Sequence, residues 1–172
     1  MNSRDIIAIL PLIIPAYAGV VMMLVAAFVR SSLVAYWIAI AALMAAFASI
    51  FICLPLAPRT VTPLIRIDQY SLMMCGALLV VAALVTLLSF DYMRAHEKRG
   101  EAFYILMMFA LSGMLVIAAS ANFAAFFLGL ETLSVSLYGL IGYTRASRFS
   151  LEAAIKYLIM AAISSAFLLF GI

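Results

Sequence analysis

Apolar residues along this chain fall into six runs separated by short polar or proline-rich joins. A helix rises 1.5 Å per residue, so about 20 residues cross the ~30 Å hydrocarbon core of a bilayer. The runs lie near residues 6–29, 33–54, 69–90, 102–121, 123–143 and 151–172, each of that length. Backbone groups in hydrocarbon must be satisfied within their own segment, so each run predicts a helix. The predicted fold class is an all-α integral membrane bundle of about six transmembrane helices. Pro11 and Pro15 predict a bend near the start of the first helix.

The joins carry their own signals. Between the second and third runs, Pro55, Pro58 and Pro63 exclude a helix, and Val61 to Ile67 suit a short interfacial hairpin. Ser120-Ala121-Asn122 predicts a tight turn between the fourth and fifth helices. Ser150 suits the N-cap of the sixth, with Glu152 in the first turn complementing the helix dipole. Asp91, Arg94, His96, Glu97, Lys98, Arg99 and Glu101 form a charged cluster that reads as a solvated loop.

Composition agrees with the pattern: 69% of residues are hydrophobic and 10% charged, against about 25% charged in soluble domains. The net charge of +3 is spread over separate loops, which gives no support to nucleic-acid binding. If the loops alternate sides, Arg30, Arg94, Lys98, Arg99, Arg145 and Arg148 share one side and Arg4, Arg59 and Arg66 the other. The positive-inside bias then makes the six-charge side cytoplasmic and puts the N-terminus outside. Residues 6–18 resemble a signal peptide, but Asp5 offsets Arg4 and the apolar run continues through Val29, so an uncleaved first helix is expected. Cys53 and Cys75 lack the paired spacing of a metal or cluster site and read as buried thiols. After Gly171-Ile172 no polar flank follows, so residues 1–172 are expected to be a single transmembrane domain truncated at its C-terminal end.

The candidate chemistry centres on Glu131, about eight residues or ~12 Å into the fifth helix. A carboxylate at that depth costs roughly 2.5–3.5 kcal/mol on insertion scales, and intramembrane acids mark proton or ion paths. Ser134 and Tyr138 share its helix face and can hydrogen-bond it. The competing structural role is a polar contact tying two helices together. Lys156 reads two ways: an i, i+4 pair with Glu152 near the interface, or a buried lysine that stores a proton. In an antiparallel pairing of the last two helices Glu131 is level with Ser164, and Lys156 sits eight residues away, about 12 Å, which argues against direct contact. Gly139 and Gly142, with Ser164 and Ser165, are small residues suited to close helix approach. No phosphate loop, metal-ligand set, nucleophile elbow or haem motif is present.

Several motifs together carry a family resemblance. They include Ser89-Phe-Asp-Tyr-Met93, Gly100-Glu-Ala-Phe-Tyr104, Phe127-Leu-Gly-Leu-Glu131, Ser150-Leu-Glu-Ala-Ala-Ile-Lys-Tyr157 and Ser164-Ser165-Ala-Phe-Leu-Leu-Phe-Gly171. From residue 89 onward the chain resembles the subunit N family of bacterial proton-pumping NADH:quinone oxidoreductase (respiratory complex I), an antiporter-like membrane subunit. It departs from the family pattern at Ala119–Ala125, where Asn122 and alanines stand in place of an acidic residue and leucines. The resemblance implies that the six helices are the N-terminal part of a larger antiporter-like fold. It implies proton transfer at Glu131 and Lys156, supported by Ser134, Tyr138 and Ser164, and coupled to quinone reduction. It implies no cofactor or metal in this chain, with NADH, FMN, iron–sulfur clusters and quinone in partner subunits of the enzyme in the bacterial inner membrane. Two alternatives stand beside it: a subunit of a multisubunit cation/proton antiporter or membrane-bound hydrogenase, and a non-transporting membrane scaffold.

Overall fold

In a computed structural model of the protein, residues 3–96, 100–143 and 148–171 are described. All six apolar runs form helices long and apolar enough to cross a membrane. They are α2 (Leu10–Phe28), α3 (Ser32–Cys53), α4 (Gln69–His96), α5 (Glu101–Ala118), α6 (Phe123–Ile141) and α7 (Arg148–Phe170), preceded by the short α1 (Ser3–Ala8).

The first run is broken rather than bent. Ile9, at φ −97° and ψ 5°, leaves helical geometry between α1 and α2. Its carbonyl accepts from Leu12 N and Ile13 N, 3.0 Å each, so the break stays hydrogen-bonded. Pro11 then occupies the first turn of α2, where a missing N–H leaves no gap, and Pro15 is carried inside the helix. Three other boundaries move. The helix predicted over 69–90 continues to His96, so Asp91 to His96 are helical and not loop. The last helix is already under way at Arg148, which puts Ser150 inside its first turn and not at its N-cap. The helix predicted over 102–121 ends at Ala118 because Ala119 to Ala121 pair with the hairpin instead. Glu97, Lys98 and Arg99 lie outside the described residues. Glu101, counted with the solvated cluster, opens α5 and is only 9% exposed.

The helices run up and down, and contacts between loops show which ends meet. At one end β1 (Arg59–Thr60) pairs antiparallel with β2 (Arg66–Ile67), the expected hairpin. Arg66 N donates to Ala119 O (2.9 Å), and Ala121 N donates to Leu64 O (2.8 Å), which lays the hairpin along the α5–α6 turn. Arg59 Nε donates to Asp5 Oδ1 (2.7 Å), and Cys53 Sγ donates to Ile7 O (3.1 Å), bringing the N-terminal segment to the same end. At the opposite end Gly100 sits against Ser32. Loops therefore alternate as expected.

Helices α2 to α5 enclose the core, where Met22, Leu43, Leu79, Met108, Leu111 and Leu115 are each at most 2% exposed. Cys53 and Cys75 are free and buried there, as read from their isolation. Helix α6 packs on α5, and α7 packs on α6 with almost its entire length exposed. The α5–α6 contact is the closest. A Cβ placed on Gly113 would lie 2.7 Å from both the Gly129 carbonyl oxygen and Leu133 N, which are backbone atoms that cannot rotate away. Gly139 and Gly142, the glycines expected at close approaches, face the Leu106 side chain and the Ala154 Cβ.

Gly113→Ala is expected to push α6 off α5 and to lower stability by about 1–3 kcal/mol, the usual range for overpacking. Thermal unfolding in detergent or nanodiscs measures it. Gly171→Ala, whose added Cβ meets nothing closer than 3.4 Å, serves as the silent control.

Candidate functional site

Helix α6 is positioned first at its N-terminus. Asn122, extended at φ −145° and ψ 168°, accepts from Ala125 N through its side-chain oxygen at 3.0 Å, a conventional N-cap. Its side-chain nitrogen donates to Pro63 O at 3.4 Å, joining the cap to the hairpin. The residue in which this chain departs from the family pattern thus holds both the start of α6 and the loop beside it.

Rotation of α6 is set by Gly129, whose added Cβ would lie 3.0 Å from both Gly113 O and Ile117 N on α5. Two residues along a helix is about 200° around its axis. Glu131 therefore points away from α5, toward α7. There Ser165 Oγ donates to Glu131 Oε1. Glu131 is half-buried, eight residues past the first residue of α6.

Other polar groups lie along the same seam. Ser134 is 9% exposed and shares a side-chain hydrogen bond with Tyr138, which also feels the charge of Glu131. The rings of Tyr138 and Tyr157 meet edge-on, centroids 5.5 Å apart, and join the two helices nearer the loop between them. A groove of about 480 Å³ runs between α6 and α7, with Leu130, Leu133 and Ser134 on one wall and Tyr157, Ser164 and Ser165 on the other. A water needs about 30 Å³ of liquid volume and two or more polar partners, so the groove has room for several waters near the serines.

The expected residues are brought together unevenly. Glu131, Ser134 and Tyr138 share one seam, as their spacing predicts. The partner of Glu131 from α7 is Ser165, not Ser164, which is exposed at the groove edge. Matching levels along an antiparallel pair locates a partner only to within a residue, and rotation of α7 selects the neighbour. Lys156 donates to Glu152 Oε1 at 2.5 Å, the i, i+4 pair. Nine residues at 100° each turn Lys156 about 180° from Ser165, so it faces away from Glu131. Thr132 and Ser136, polar residues of the same helix that spacing does not single out, each donate to a carbonyl one turn back, at 2.8 Å, a local role. Among the described residues no group of three or more His, Cys, Asp or Glu is placed to hold a metal ion.

The arrangement places a carboxyl group within the span, hydrogen-bonded to a serine of α7 and beside a serine and a tyrosine of its own helix.

Comparison with known proteins supplies the context. Residues 120–172 match a family profile described as NADH:quinone oxidoreductase/Mrp antiporter, TM. Over 172 residues the chain is 38% identical to NADH-quinone oxidoreductase subunit N of Methylococcus capsulatus, covering 99% of this chain and 35% of that protein. Its fold matches a chain in the structure of respiratory complex I from Thermus thermophilus with bound aureothin. The TM-score is 0.78 and the identity 26%, over 94% of this chain and 35% of that chain. The chain thus spans about a third of the length of each of these two proteins.

Replacing Ser165 by Ala is expected to change the infrared carboxylate bands assigned to Glu131, the assignment coming from their disappearance in Glu131→Gln. Ser164→Ala is expected to leave those bands in place. Equal spectra for both serine variants would contradict the contact.

Proposed function

Starting from a chain that is a homologue of NADH-quinone oxidoreductase subunit N within the antiporter-like family, we propose that it serves as a proton-translocating membrane subunit of complex I. The observation that carries this reading is the intramembrane carboxylate Glu131, hydrogen-bonded by Ser165 of the helix packed against α6. An acid at that depth is expensive unless it is used or tied down.

Glu131 takes up and gives up the proton. Ser165 donates to its carboxylate, and any shift of α7 lengthens or shortens that bond, so α7 reports to Glu131. Tyr138, Ser134 and Ser164, with waters in the groove, carry the proton along the seam. Lys156 acts on the other side of α7, where its exposed ion pair with Glu152 meets protein in the assembled complex rather than hydrocarbon. A cation that approaches Glu131 favours the charged form and one that withdraws favours protonation, so quinone reduction elsewhere can drive the cycle electrostatically. In this reading the chain holds no redox cofactor. NADH, FMN, iron–sulfur clusters and quinone are handled by partner subunits, which together with lipid are its contacts. The location is the bacterial inner membrane, and the positive-inside bias puts the hairpin end, with the N-terminus, on the periplasmic side.

A second reading is favoured by the family profile, which covers Mrp antiporters as well as the oxidoreductase. The same Glu131 seam would then serve cation/proton exchange, without dependence on NADH.

The test is NADH-driven quinone reduction and proton pumping in native membranes carrying Glu131→Gln, with assembly checked on the same sample. Pumping is expected to fall at least about tenfold while the complex assembles, in line with loss of a proton-transferring group. Unchanged pumping would assign Glu131 a purely structural role as a tie between α6 and α7. Exchange that persists without NADH would assign the chain to the antiporter reading.

A further inference from the structure

Near the hairpin end, α4 and α5 line an apolar groove of about 410 Å³. Tyr70, Met74 and Leu78 form one wall at i, i+4 spacing, and Met114, Ile117 and Ala118 form the other. Both walls are apolar, and the groove has room for an alkyl chain.

The polarity of the groove is ordered along its length. Arg66 N donates to Ala119 O, which fixes Arg66 beside the last residue of α5 and so at the groove mouth. Tyr70, 67% exposed, lies four residues further along in the first turn of α4, at the depth where tyrosines mark the membrane interface. From Tyr70 to Leu78 is eight residues, about 12 Å, close to the depth of one leaflet's hydrocarbon. Cation, interfacial phenol and apolar trough therefore follow one another in the order of phosphate, glycerol backbone and acyl chain.

Charge at the mouth is available. Arg59, the other hairpin arginine, is engaged by Asp5 at 2.7 Å. Arg66 is held only loosely, with Nε 3.9 Å from Asp68 Oδ2 and its side chain 58% exposed. Asp68 is the opposing charge beside it, and its Oδ1 already accepts from Ser71 N at 2.7 Å. Arg66 can turn to an anion without leaving a buried carboxylate unpartnered.

We propose that this groove binds one anionic phospholipid, its phosphate on Arg66 and one acyl chain between α4 and α5. The lipid fills a trough that lateral helix packing leaves open and covers the side of the bundle where the hairpin clamps the α5–α6 turn.

The protein is reconstituted in nanodiscs of phosphatidylcholine containing phosphatidylglycerol, and retained lipid is read by native mass spectrometry. One phosphatidylglycerol is expected to remain, preferred over phosphatidylcholine by about fivefold, the size of a single arginine's contribution at a lipid surface. Arg66→Gln should abolish the preference and Arg66→Lys should keep it. Ala118→Phe, which fills the trough, should abolish retention. Should Ala118→Phe fail to fold, Met114→Phe obstructs the same trough. A preference that survives both Arg66→Gln and the trough-filling variant overturns the proposal, as does its absence in the unaltered protein. In native membranes a benzoylphenylalanine photo-crosslinker in place of Tyr70, an exposed aromatic residue of the groove, should capture phospholipid. Capture of a polypeptide there would show that a protein partner occupies the groove instead.

Discussion

Contact of α5 with α6 through Gly113 and Gly129 governs the rest of the structure. Without side chains at these positions the backbones come close enough that a Cβ on either would strike main-chain atoms of the other helix. In lipid there is no hydrophobic drive between helices, so close packing of this kind supplies much of the association. The contact also has a direction. Once Gly129 faces α5, helical periodicity turns Glu131 toward α7, where Ser165 receives it.

The two ends of the bundle are built differently. At the hairpin end the chain is tied by main-chain pairing, the Asn122 cap and the Asp5–Arg59 ion pair. Toward α7 the order thins out, because that helix touches α6 along one side and leaves Leu151, Ile155, Met160 and Phe167 exposed. In the matched proteins about two thirds of the length lies outside the region shared with this chain.

The Lys156–Glu152 pair illustrates how position on a helix decides the meaning of a charge. Its geometry is that of an ordinary i, i+4 pair, which on a soluble helix contributes about 0.3–0.5 kcal/mol. Here it lies on the side of α7 opposite Ser165, so the helix carries two separate polar surfaces.

The sequence by itself determined the six spans, the hairpin, the alternation of loops and the place of Glu131 within a span. These follow from the length of apolar runs, from proline chemistry and from the cost of charge in hydrocarbon, all of which are local. It also determined that Glu131 and Lys156 do not meet, since rise per residue sets their offset. What it left open depends on rotation and on pairs distant along the chain. Ser165 rather than Ser164 meets Glu131 because α7 is turned that way. Gly113 and Gly129 rather than Gly139 and Gly142 make the backbone contact because of how α5 crosses α6. Likewise α4 runs on through Asp91 and Arg94 although their charges read as loop, and Ile9, not either proline, leaves the helix. Rotation of a nearly uniformly apolar helix has no period in its sequence to announce it, so only the packed tertiary structure could decide it.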